Sequence, residues 1–278
     1  MPLMKKDQLA GMNIHYMKYS LDYFLSAQER IGFESIELWG GIPHVYLDPN
    51  EYTNCQLLKK KIQEHHLKLK VFTPENCMYQ YQFAAAKPEI FKKSMEYFKN
   101  GIRMAQEMDC PIMQCNSGWG YLDETREDAW NRCVEMLQEL TDFAAERGVT
   151  LAMESLRPEE SNLVIRLEDA KAMKEQVQAE NLKILVDTTA MGVAGETLEQ
   201  WFTCFGNDIV HMHFVDGNPY GHLIWGDGCR NLEEDLEVLK KYGYQGALGQ
   251  EITDSRYFKD PMSHDQRNWD AFSKWMEV

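Results

Sequence analysis

Short apolar runs alternate with longer segments whose apolar residues recur every three or four positions, and this alternation runs the length of the chain. Leu9 to Met17 is a predicted first strand, and Ser20 caps a helix that Gly32 ends. Phe33 to Trp39 is the second strand, followed by Gly40-Gly41 and a loop holding Pro43 and His44. A helix is expected over Glu51 to His66, then a third strand from Leu67 to Phe72 that runs into Thr73-Pro74-Glu75. Pro88 to Met108 places Phe91, Met95, Phe98, Ile102 and Ala105 on one helical face. Pro111 to Cys115 is the fourth strand, opening into a loop with Gly118, Trp119 and Gly120. The helix from Asp128 to Arg147 ends at Gly148.

The second half keeps the same rhythm. Strands end at Glu154, Asp187, His213 and Glu251, and they are followed by helices near Leu167–Gln178, Leu198–Phe205, Leu232–Tyr242 and His264–Met276. A glycine-rich loop separates His213 from the third of these helices. That makes eight strand–helix units, with no Ser/Gly/Pro-rich linker or low-complexity tract to divide them. Eight regular units in 278 residues predict one domain, residues 1–278, folded as a closed α/β (β/α)₈ TIM barrel. A doubly wound open sheet is the competing architecture.

Composition changes the picture mainly by exclusion. The formal charge of −15 repels phosphate backbones, so nucleic acid is not an expected partner. No basic region precedes a long apolar stretch at the N-terminus, and no apolar run approaches membrane-spanning length, so no membrane association is expected. Seven cysteines without CxxC spacing point to free thiols in a reducing cytoplasm. Cys110, Cys115, Cys133 and Cys204 lie in apolar contexts and are expected to fill space. Lys59-Lys60-Lys61 reads as a solvated helix face.

The candidate chemistry follows from the strand ends. In such barrels the active site lies at the carboxyl ends of the strands, so Glu154, Asp187, His213 and Glu251 would meet at one rim. Each taken singly could cap a helix, Asp187 above all. Together, three carboxylates would repel by roughly 4 kcal/mol per pair at ~4 Å with an effective dielectric near 20, a penalty that one divalent cation removes. Oxygen-rich ligation with a single imidazole suits Mn²⁺, with Mg²⁺ or Co²⁺ as alternatives, better than structural zinc. His211, two residues before His213, points to the same side one layer deeper and is expected to pack or to support the site.

At these residues the chain resembles the sugar isomerase/epimerase superfamily with the xylose isomerase-type TIM barrel, whose Glu, Asp, His, Glu metal set ends strands five to eight. Ile36-Glu37-Leu38-Trp39-Gly40-Gly41 with Pro43-His44 is similar to the fructoselysine 3-epimerase branch, as are Thr73-Pro74-Glu75, Gly120-Tyr121-Leu122, and Glu154 followed by Pro158, Glu160, Ser161 and Asn162. His222 to Gly228 resembles that branch's His…Gly-x-Gly loop, with Trp225 where proline is usual. Two features depart from the ketose 3-epimerases. Ala190 stands where a histidine usually follows the metal-binding aspartate, and Asp216 to Gly228 carries no arginine. Both move the expected substrate away from a simple free ketose.

The resemblance implies a metal-dependent isomerase that inverts C3 of a ketose or of a fructoselysine-like ketosamine. Glu154 and Glu251 would pass protons through an enediolate while a metal polarises the ketone. Aldose–ketose isomerisation at the same site is the alternative; a metal-dependent endonuclease and a non-catalytic sugar-binding protein stand behind it. Glu160 would accept a hydrogen bond from a substrate hydroxyl, or else is a solvated loop acid. Tyr16, Trp39 and Trp119 are rim aromatics that either close over a sugar or pack between loops. His222 would bind substrate or lie exposed. Relatives imply a homo-oligomer, a dimer or tetramer.

Overall fold

The computed structural model describes residues 2–77 and 80–277. Its strands are β1 (Leu9–Met12), β2 (Ser35–Gly40), β3 (Lys68–Pro74), β4 (Ile112–Cys115), β5 (Thr150–Glu154), β6 (Leu182–Asp187), β7 (Ile209–His213), β8 (Asp216–Asn218), β9 (Tyr220–Leu223) and β10 (Ala247–Gln250). Between them lie the helices α1 (Leu21–Ile31), α2 (Cys55–Glu64), α3 (Pro88–Glu107), α4 (Arg126–Ala145), α5 (Leu167–Val177), α6 (Thr188–Val193), α7 (Leu198–Phe205), α8 (Leu232–Lys241) and α9 (Pro261–Ser273).

Eight of the strands close into a parallel barrel in the order β1-β10-β7-β6-β5-β4-β3-β2. Closure is made by β1, which pairs with β2 on one side and with β10 on the other, Leu9 opposite Leu248. The chain is therefore a (β/α)₈ TIM barrel, and the open-sheet alternative is excluded. Local signals set the helix ends. Ser20 accepts from the Tyr23 N–H at the start of α1, and Gly32 ends that helix in the left-handed region at φ 109°. The stripe Met95, Phe98, Ile102 and Ala105 of α3 is buried, so the face read from its spacing does pack inward.

Several boundaries differ from the sequence expectation. The first strand stops at Met12, because the chain turns through a short 3₁₀ segment at Ile14–Tyr16. Helix α2 begins at Cys55 rather than Glu51, because Asn54 caps it: its side chain accepts from the Leu57 N–H. The glycine-rich stretch after β7 holds the antiparallel hairpin β8–β9, and α6 starts directly on Asp187; neither element was expected. Cys204 is exposed rather than space-filling, whereas Cys110, Cys115 and Cys133 are buried; all are free thiols. No helix among the described residues is long and apolar enough to cross a membrane.

Candidate metal centre

Parallel register brings the strand-final residues together. Asp187 of β6 lies opposite His213 of β7, and Gly249 of β10 lies opposite His213 on the other side. Glu154 is the last residue of β5, and Glu251 is the first beyond β10. His213 Nδ1 sits 2.7 Å from Glu154 Oε1 and 3.1 Å from Glu251 Oε2. Asp187 joins through a different neighbour: its Oδ2 lies 3.1 Å from His222 Nε2, which is in turn 3.7 Å from Glu251 Oε2. The ligating atoms thus form two clusters, Glu154–His213–Glu251 and Asp187–His222–Glu251, each spanning no more than 4.8 Å and sharing Glu251. Asp187 also accepts from the Thr189 and Ala190 N–H groups, so it caps α6 while it faces the site.

Acids packed this closely perturb one another. Burial pushes the Glu154 carboxyl up to about 7, with Glu251 and Asp187 adding to the rise and His213 opposing it. Burial would raise Asp187 too, but the facing His222 and His213 outweigh it and hold that carboxyl low. Burial disfavours a charged His222, yet Asp187 and Glu251 prevail and lift the imidazole to about 9. His213 is raised for the same reason by Glu251, Glu154 and Glu37, against its burial.

Beneath this rim lies a second, fully buried layer. Glu37 of β2 faces both histidines of β7, with Oε2 2.8 Å from His211 Nε2 and Oε1 3.0 Å from His213 Nε2. Thr73 Oγ1 donates to Glu37 Oε1 at 2.5 Å. On the other side, Gln114 Nε2 donates to Glu154 Oε2 at 2.6 Å, Asn76 Nδ2 donates to the Gln114 carbonyl, and Asn116 Nδ2 donates to that of Asn76. Sequence reasoning missed Glu37, Gln114 and Asn76. A charged residue at the centre of the apolar run Ile36–Trp39 is the signal that could have found the first.

A model of the xylose isomerase-like TIM barrel family matches residues 25–277 of the chain. The chain belongs to that family. Fructoselysine 3-epimerase of Shigella flexneri is 26% identical over 260 residues, covering 92% of this chain and 94% of its own. D-psicose 3-epimerase of Enterocloster bolteae is 27% identical over 165 residues, 58% of this chain and 54% of its own. The crystal structure of 3-keto-D-glucoside 4-epimerase from E. coli superposes with a TM-score of 0.81 at 16% identity, covering 97% of this chain and 100% of that one; at such identity the likeness is one of fold. Relatives named for an activity are epimerases and isomerases, and this member of the family is an enzyme of that class.

In this xylose isomerase-like barrel a cavity of about 190 Å³ opens over the cluster, lined in part by Trp39, Gln114, Glu154, Arg157, Asp187, His222 and Glu251. A second cavity of about 430 Å³ adjoins it and is lined by Trp119, Leu122, Pro158 and Glu159; Cys77 and Glu160 border both. Trp39 faces the inner cavity and donates from Nε1 to Glu75 Oε2 at 3.0 Å. Trp119 faces the outer one, 37% exposed. His222 is buried rather than exposed on a loop, because β9 turns it inward and its Nδ1 pairs with Thr253 Oγ1 at 2.9 Å. Asp216 fastens the turn behind it, accepting from the N–H groups of Gly226 and Gly228.

Two expectations change. Tyr16 lines neither cavity: it is fully buried, and its hydroxyl donates to Asp265 Oδ2 at 2.8 Å, so it belongs to the packing between the 3₁₀ turn and α9. Glu160 is held in a two-pronged ion pair by Arg157, whose Nε lies 2.9 Å from Oε2. Arg157 itself went unnoticed in the sequence, where its spacing of three from Glu160 was the available sign. It places a guanidinium on the inner cavity, although the loop from Asp216 to Gly228 has none.

The donor set fits a divalent cation. Glu154, Asp187, His213 and Glu251 would hold it, with carboxylate oxygens and a single imidazole of the kind that Mn²⁺ or Mg²⁺ accepts. His222 Nε2 lies in the cluster that holds Asp187 and Glu251.

Proposed function

We propose that the chain is a divalent-metal-dependent epimerase that inverts C3 of a ketose or ketosamine. One observation carries the reading: two glutamates from separate strands, Glu154 and Glu251, line the inner cavity and approach the same imidazole nitrogen at 2.7 and 3.1 Å. Relatives named for 3-epimerisation of fructoselysine and D-psicose support it.

A bound cation, Mn²⁺ by preference with Mg²⁺ or Co²⁺ as alternatives, supplies Lewis-acid polarisation of the C2 ketone and so acidifies the C3–H bond. Glu154 and Glu251 then move the proton. One accepts it from C3 to leave an enediolate, the other returns one from the opposite face, and the two exchange roles in the reverse direction. The inner cavity would take the ketose, with Trp39 and His222 against it. The outer cavity, walled by Trp119 and bordered by Glu160, would take a substituent such as the amino-acid part of a ketosamine. A cytoplasmic location and a dimeric or tetrameric assembly belong to the same proposal.

Incubation with Mn²⁺ and a panel of ketoses and ketosamines in D₂O tests it. Deuterium should enter C3 of the epimerised product. Entry at C1 or C2 instead would mark an aldose–ketose isomerase. Glu154→Gln and Glu251→Gln should each lower turnover by several orders of magnitude with the fold retained; full activity in either would sink the two-glutamate scheme.

A further inference from the structure

Glu37 is a fully buried acid inside the barrel, and neither of the glutamate roles just assigned uses it. It is wholly buried on β2, where most barrels of this kind place an aliphatic side chain. Every visible partner is a donor: Nε2 of His211 at 2.8 Å, Nε2 of His213 at 3.0 Å and the Thr73 hydroxyl at 2.5 Å. The barrel also leaves room for it. A Cβ on Gly249 of β10 would stand 2.1 Å from Glu37 Oε2 and 3.1 Å from the His211 ring, so any side chain there must displace the carboxylate.

We propose that Glu37 is a positioning residue, whose carboxylate holds a proton on Nε2 of His213 and so makes Nδ1, beside Glu154 and Glu251, the nitrogen that gives up its proton to a cation. The inference rests on the metal-site reading above. A carboxylate only accepts, so both rings that face it must present Nε2–H. For His213 the consequence is functional, because Nδ1 is the nitrogen at 2.7 Å from Glu154 and 3.1 Å from Glu251. His211 buttresses the arrangement. Its Nε2–H occupies the other oxygen of Glu37, its Nδ1 has no partner among the described residues, and its ring stands nearly perpendicular to that of His213 at 5.4 Å. With both oxygens engaged, Glu37 can neither rotate away from His213 nor be replaced there by the isosteric amide, which accepts at only one of its two ends.

Calorimetric titration of metal-free protein with Mn²⁺ alone tests this without reference to turnover. Glu37→Gln is expected to weaken Mn²⁺ binding by about 10- to 100-fold, the usual effect of removing a group that orients a metal-bound histidine. Gly249→Ala, which displaces the carboxylate and alters no ligand, should do the same. In Zn²⁺-loaded, ¹⁵N-histidine-labelled protein the Nε2–H proton of His213 should resonate far downfield and move upfield in Glu37→Gln, a change that general loosening of the fold would not produce. A folded Glu37→Gln protein with Mn²⁺ affinity within twofold of the parent and an unmoved His213 signal overturns the proposal. If that variant fails to fold, Thr73→Val, which removes only the hydroxyl on Glu37 Oε1, decides: a loss of a few-fold supports the role and an unchanged affinity overturns it. Parent protein that takes up no Mn²⁺ would defeat the metal reading itself, an outcome distinct from an unaffected Glu37→Gln.

Discussion

Gln114→Leu isolates one hydrogen bond at the reacting end of the site. Gln114 Nε2 donates to Glu154 Oε2 at 2.6 Å, both groups are buried, and leucine keeps the volume while deleting the donor. A hydrogen bond to a charged group contributes about 1.5–3 kcal/mol. Under the proposed mechanism Glu154 moves the substrate proton and ligates the metal, so loss of this donor should act on kcat/KM. At ~1.4 kcal/mol per tenfold, the expected fall is about 10- to 150-fold. Stability should drop as well, because Asn76 Nδ2 loses the Gln114 carbonyl 2.6 Å away, and an orphaned buried donor costs about 1–3 kcal/mol. The assay pairs C3 epimerisation kinetics at saturating Mn²⁺ with urea unfolding of the same preparation. A Gln114→Leu protein that loses stability yet keeps kcat/KM within threefold of the parent would refute the reasoning, since the amide chain would then serve the fold and leave Glu154 indifferent.

Tyr16→Phe should leave KM unchanged and cost about 1 kcal/mol in denaturant unfolding, because its hydroxyl serves Asp265 and not the cavity; a several-fold rise in KM would return Tyr16 to the substrate. Chelation should abolish turnover, and one equivalent of Mn²⁺ per chain should restore it. The same addition should stabilise the fold, by about 2.7 kcal/mol at a free concentration 100-fold above Kd, read as a shift in Tm that depends on metal concentration.

The barrel was legible because its signals are local. Apolar runs, helical stripes such as Met95, Phe98 and Ile102, and stops such as Gly32 act over a few residues, and eight repeats of that grammar leave few topologies. The strand-final quartet was legible for a related reason: parallel strands in register carry their last residues to one rim, whatever lies between them. What stayed hidden depends on pairs far apart in sequence. Glu37 and His211 are separated by 174 positions, and Gln114 and Glu154 by 40, so no periodicity links them. His222 looked exposed because its glycine-rich surroundings gave no strand signal; the hairpin exists because Asp216 gathers the Gly226 and Gly228 N–H groups, and that turn directs β9 inward. Asp187 resisted a single reading because it does two things, capping α6 and facing His222.

The polar layer beneath the rim is hard to explain by stability alone. Replacing a buried ion pair with well-packed apolar groups is often neutral or stabilising, and TIM-barrel interiors are ordinarily built from Val, Ile and Leu. Here the chain instead buries Glu37, Thr73, His211, Gln114 and Asn76, and it keeps a glycine at position 249 so that the first of these fits. Each charged oxygen in the layer has a donor, which limits the cost of burial, but satisfied groups explain only how the layer is tolerated. Its direction explains what it is for. The Glu37 side of the network ends on His213 of β7 and the Gln114 side ends on Glu154 of β5, two residues whose orientations the proposed proton transfer would need fixed. A barrel that only needed to fold would have no use for rigidity aimed at those two side chains.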